Sequence, residues 1–188
     1  VSLENSGSIL FSEFYQNIWW ESYKVGQTTS TTKPPSKATI DGTEIVFRKH
    51  ILPILGNYSL DVLNQNKQVV LNLLTQKAEE YANFKVIRSY VNSIFDWAEE
   101  LEYIETNRLS KTISRIKETK KLKLQETKRD EDLYLSQVEL QAWFKAFEED
   151  LENDKLSFKD YVLFYTTFFL GDRKSESYAL QWKHINTI

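Results

Sequence analysis

The residues of this chain best placed to hold an anion lie in one hexapeptide, Gly171-Asp172-Arg173-Lys174-Ser175-Glu176. It follows an aromatic run ending at Phe169 and precedes a second apolar turn, Tyr178-Ala179-Leu180-Gln181-Trp182. An arginine at such a break sits near a helix N-terminus, where backbone N–H groups point outward. Its planar fork of donors matches two phosphate oxygens at once, a geometry that lysine lacks. Glu176, three positions on, is spaced either to hold the Arg173 guanidinium or to cap the turn. On spacing alone the plainer reading, a surface arginine in a helix–helix loop, is the stronger of the two.

A second chemistry is carried by charge in bulk. Residues 108–129 hold nine Lys and Arg against two Glu, a net of +7. Acidic stretches flank them, with five acids and no base over 91–107, and nine acids and one lysine over 130–154. The chain as a whole carries −3. A basic block between acidic ones can follow a phosphate backbone locally while the total stays negative. The alternative is a solvated linker that its lysines keep soluble.

Most other chemistries lack their residues. There is no cysteine among the 188 residues, hence no disulfide framework, no cysteine-based zinc site and no thiol nucleophile. His50 and His184 are the only histidines and stand far apart, which argues against a histidine metal site or acid–base pair. No glycine-rich phosphate loop, GxSxG elbow, HExxH or calcium loop is present. The many neighbouring acids fall in runs on helix faces and read as solvated surface. No apolar run approaches the roughly 20 residues that span a bilayer, and the first ten residues lack the basic start and apolar stretch of a signal peptide. A cytoplasmic location is the expectation. So is origin in a longer chain, since there is no methionine, the initiator included.

The elements that must position these residues are helical nearly throughout. Phe11, Phe14, Tyr15, Ile18 and Trp19 recur at three- and four-residue spacing and predict a helix near 10–23. Polar β-branched residues and two prolines break it over 27–36. Ser36 is placed to cap a second helix with the stripe Ile40, Phe47, Ile51, ending near Pro53. After the Gly56-Asn57 turn, a third helix is expected near 65–80 and a fourth near 83–102, making a compact bundle. Residues 107–132 read as a polar, basic inter-domain linker. A second unit opens at Ser136 and Glu139, a capping box, and continues through Trp143, Phe144 and Phe147. Ser157 starts another helix through Tyr161, Phe164, Tyr165 and Phe168, Gly171 ends it, and QWKHINTI reads as the start of a strand. With about 55 residues and aromatic faces in need of partners, this unit reads as cut short.

Several of these segments together resemble the tyrosine recombinases, the phage-integrase family. Leu170-Gly171-Asp172-Arg173-Lys174-Ser175-Glu176, then Ala179-Leu180-Gln181-Trp182 and His184-Ile185-Asn186, is similar to that family's first catalytic-arginine box. Tyr134-Leu135-Ser136 with Glu139-Leu140 resembles the opening of the same catalytic domain. Arg48-Lys49-His50-Ile51-Leu52-Pro53-Ile54-Leu55-Gly56-Asn57, with Leu60, is similar to an element of the core-binding domain. Ile94-Phe95-Asp96-Trp97-Ala98 and Asn107 resemble its last helix and exit. The match runs over about 10–186 in order. It departs at Leu170 and Asp172, where threonine and an apolar residue are usual, and at Arg108, where proline is common.

The resemblance implies a mainly α fold: a four-helix SAM-like core-binding domain over 8–106, a basic linker over 107–132, and the truncated helical start of an α+β catalytic domain over 133–188. It implies an enzyme whose tyrosine attacks a phosphodiester, leaving a 3′-phosphotyrosyl link and a free 5′-hydroxyl without metal or nucleotide cofactor. Integration or excision of a mobile element or prophage in a bacterial cell is the implied setting. Arg173 is then the first arginine stabilising the charged phosphate, with Glu176 in support. The nucleophile and remaining catalytic groups are expected beyond Ile188, so this stretch by itself is expected to be inactive. The partner is double-stranded DNA at an attachment-site core, on which the full-length protein would self-associate, with no membrane involved. Lys37, Lys85 and Arg88 are candidates to face DNA from the first domain. Arg108, Lys111, Arg115, Lys117, Lys120, Lys121 and Lys123 are candidates to track the backbone along the basic block. A non-catalytic helical DNA-binding regulator is the alternative, and a helical protein-interaction module a more distant one.

Overall fold

The computed structural model describes residues 7–28, 33–129 and 134–184, and these are mainly helical. Among the described residues the one isolated extended pairing is an antiparallel bridge between Leu10 and Ser59. The chain divides into two compact units, Val1–Thr127 and Lys128–Ile188.

In the first unit, the aromatic stripe near the N-terminus forms α1, which runs through Phe11–Phe14, a π-turn at Tyr15–Trp19, and Trp20–Lys24. The Ser36 hydroxyl accepts the Thr39 N–H at 3.3 Å and opens α2, again in three parts: Lys37–Val46, a π-turn at Phe47–Ile51, and Leu52–Leu55. A π-turn inserts an extra residue into the helical ring and so re-aims the side chains it carries. Here the two π-turns bring their aromatics together. The Tyr15 and Phe47 rings stack 4.1 Å apart and Trp19 lies 5.0 Å from Phe47. The second helix was expected to stop near Pro53, yet it continues to Leu55. A proline in a regular helix clashes with the preceding turn and forfeits a hydrogen bond. At Pro53 that turn is the wider π-turn, which accommodates the ring.

Gly56 follows in close quarters, since a Cβ there would stand 2.6 Å from the Leu52 carbonyl oxygen. The Gly56 carbonyl in turn accepts from the Ser12 hydroxyl at 2.8 Å, pinning the start of α1. Ser59 caps α3 (Leu60–Gln65), and Asn66 separates it from α4 (Lys67–Glu80). The central element is α5 (Phe84–Glu100), which buries Phe84, Ile87, Val91, Ile94, Phe95 and Ala98 along one face and packs on both π-turns. Apart from the small Ala98, each such side chain contributes about 1.5–3 kcal/mol when fully removed from water. One polar group is built into this core. The Thr43 hydroxyl meets the Tyr23 hydroxyl at 2.9 Å and the Tyr90 hydroxyl at 2.7 Å, and donates to the Thr39 carbonyl. Burial pushes the Tyr23 phenol up to about 12.

The chain after α5 departs from the linker expected over 107–132. Residues 107–127 belong to the first unit, as α6 (Ser110–Ser114) and α7 (Thr119–Glu126) with their flanks. Leu109, Ile113 and Ile116 are buried in the main core, and the Asn64 amide ties down the chain at both Thr106 and Arg108. Apolar residues spaced four and three apart hold the segment down, while its lysines point outward.

In the second unit, Ser136 and Glu139 form the capping box of α8 (Gln137–Glu152), and Ser157 caps α9 (Phe158–Leu170). The two helices meet ring to ring, with Phe164 lying 4.7 Å from Trp143 and 4.5 Å from Phe147. Much apolar surface stays outside: Phe158 is 70% and Phe169 71% exposed. Gly171, in the left-handed conformation at φ +66°, ends α9 and leads into α10 (Lys174–Tyr178). The strand expected over 181–188 is a 3-10 turn at Trp182–His184, and 185–188 lie outside the described residues. A strand needs a neighbour to pair with, and the described residues of this unit offer none.

Candidate nucleic-acid interface

The outward side of α5 carries a row of polar residues opposite its buried face, a consequence of helical periodicity. Three cavities succeed one another along it. The first, about 620 Å³, lies among Gln27, Ser89, Asn92, Trp97, Asp96 and Glu100. The second, about 270 Å³, is lined by Lys85, Arg88, Ser89, Asn92 and Ser114. The third, about 340 Å³, is lined by Arg88, Arg115, Lys117, Glu118, Lys121 and Gln125 among others. Ser89 and Asn92 join the first to the second, and Arg88 and Ser114 join the second to the third. The result is a shallow groove, acidic at the Asp96 and Glu100 end and cationic at the other.

Of the ten cations expected to meet DNA, this groove gathers Lys85, Arg88, Arg115, Lys117 and Lys121. Two of these are already engaged. Arg88 donates to the Ile116 carbonyl at 2.9 Å and lies 3.4 Å from a Glu118 carboxylate oxygen. Its side chain is 25% exposed, so it works first as a clasp between α5 and the segment after α6. Lys121 meets the other Glu118 oxygen at 3.1 Å. Lys85, Arg115 and Lys117 are exposed and no ion pair holds them among the described residues. Lys37, at the first position of α2, and Arg108, Lys111, Lys120 and Lys123 line none of the three cavities. Arg108 stands 3.8 Å from Glu105.

Glu118 is the residue that sequence reasoning passed over. It sits inside the basic block and faces two of its cations, and its spacing of three from Lys121 was the available signal. Asn92 and Trp97 were likewise unassigned. Asn92 Oδ1 and Trp97 Nε1 are buried without a hydrogen-bond partner and belong to residues that line the first cavity.

In the second unit, Arg173 immediately precedes α10. Its N–H donates to one Glu176 oxygen at 2.8 Å, and its guanidinium lies 3.7 Å from the other. Glu176 therefore does both things its spacing allowed, capping the turn and holding the arginine. The Arg173 side chain is 86% exposed, leaving its donors open to solvent. The backbone below it is fixed by Ser177, a buried residue whose hydroxyl lies 2.9 Å from that of Thr167 on α9. No group of three or more His, Asp or Glu among the described residues is placed to hold a metal ion, and no described helix is long and apolar enough to cross a membrane. Compared with family models, curated proteins and solved structures, the chain matches none.

Proposed function

We propose that the chain is the DNA-binding part, and the opening of the catalytic domain, of a site-specific tyrosine recombinase acting in the cytoplasm on the DNA of a mobile element or prophage. The observation that carries the reading is the cationic end of the α5 groove. Two separate stretches of sequence, Lys85 on α5 and Arg115 with Lys117 after α6, contribute unpaired cations to one edge of one groove. Phosphates spaced along a duplex are the ligand that rewards such a row, because each neutralised phosphate releases a condensed counterion. Arg173, exposed and braced by Glu176, supports the catalytic half of the reading. A guanidinium so placed would bind the non-bridging oxygens of a scissile phosphate as charge builds on them.

The test is a salt titration of duplex DNA binding by the chain. Three phosphate contacts predict a slope of roughly −3 in log affinity against log salt. Absence of binding, or binding insensitive to salt, sinks the reading.

A further inference from the structure

Glu118 occupies an unusual position for an acid in a basic block. Its side chain is 17% exposed, and its carboxylate spends both oxygens on cations of the groove, one on Arg88 at 3.4 Å and one on Lys121 at 3.1 Å. The same cavity is walled by Arg115 and Lys117, which have no such partner. A carboxylate held between a guanidinium and an ammonium makes contacts of the kind a phosphate makes with the same pair, two oxygens to two cations. We propose that Glu118 is a built-in stand-in for a phosphate: it masks Lys121, and in part Arg88, at a phosphodiester-binding site whose remaining wall is Arg115 and Lys117.

The site takes the phosphate of a nucleic-acid backbone, and the proposal rests on the DNA-binding reading above. Its consequence is a ceiling on affinity. As long as Glu118 stays in place, it halves the net charge that the pair it holds offers to a passing phosphate, and both cations already face a carboxylate oxygen. An arriving phosphate must displace a partner that is already there and tethered. Arg88 keeps its bond to the Ile116 carbonyl throughout, so the fold does not depend on Glu118 alone to close α5 onto the following segment.

The experiment compares a 20-base-pair duplex bound by the wild-type chain, Glu118→Gln, Lys121→Gln and Lys117→Gln across a salt series, with circular dichroism verifying each fold. Glu118→Gln is expected to steepen the salt slope by about one to two and to tighten binding roughly eightfold per added contact between 1 M and 0.1 M salt. Lys121→Gln in the wild-type background is expected to change affinity less than about threefold, while Lys117→Gln loses one full contact, about one in slope. This second comparison stands even if Glu118→Gln does not fold. Equal losses from Lys117→Gln and Lys121→Gln, or an unchanged slope in a folded Glu118→Gln, overturn the mask while leaving DNA binding intact. Failure of every variant and of the wild type to bind the duplex overturns both.

Discussion

An exposed guanidinium with one carboxylate 3.7 Å away keeps most of its donors available, and this is the state of Arg173. Arg and Lys carry the same charge, but only Arg presents a planar fork. In a longer chain carrying the full catalytic set, Arg173→Lys is expected to slow strand cleavage by about 10²-fold or more while duplex affinity stays within about threefold. Single-turnover cleavage and a binding isotherm read the two separately, and equal losses in both would mark the arginine as merely positional. Arg173 and its brace were legible in the sequence because everything that defines them is local: a glycine stop, an arginine, and a glutamate three positions on. The role of Arg88 was not legible. Its partners, Ile116 and Glu118, lie 28 and 30 positions away, and no local spacing reports a pairing that only folding creates.

Among the elements, those with a long apolar stripe, in α2, α8 and α9 joined by a serine cap, were legible, since periodicity and capping chemistry act within a few residues. This holds for α1, α2, α5, α8 and α9. The interruptions inside α1 and α2 were not, because a π-turn is selected by the packing of Tyr15, Trp19 and Phe47 against α5 rather than by local preference. The segment after α5 was misread for another reason. Leu109, Ile113 and Ile116 have the spacing of a buried helical stripe, but the surrounding lysines and arginines outweighed three apolar residues. Their burial has a measurable consequence. Ile113→Ala is expected to destabilise the first unit by about 2–5 kcal/mol, the usual cost of opening a cavity in a packed core. Urea unfolding followed by tryptophan fluorescence measures it. A change below about 0.5 kcal/mol is the result expected of a solvated linker and would contradict the packed segment.

At the scale of the whole chain, the net charge of −3 hides an uneven division. Residues 1–127 carry 16 Lys and Arg against 15 acids, a net of +1, and 128–188 carry eight against twelve, a net of −4. The first unit therefore holds the cationic groove without a large opposing charge of its own, and the acidity lies in the second. With the groove as the DNA surface, the net charge of the second unit adds long-range repulsion, against which Arg173 offers one local contact. That repulsion is felt over about 30 Å at 0.01 M salt but only about 8 Å at 0.15 M. A fragment ending at Thr127 keeps the whole of the buried core around α5, including Leu109, Ile113 and Ile116. It is expected to bind duplex DNA no more weakly than the full chain at about 0.15 M salt. At about 0.01 M it should bind more tightly, by a margin that shrinks as salt is added. Parallel titrations of fragment and chain read this directly. Loss of binding in a fragment that still unfolds cooperatively would move the DNA surface out of the first unit and onto residues 128–188.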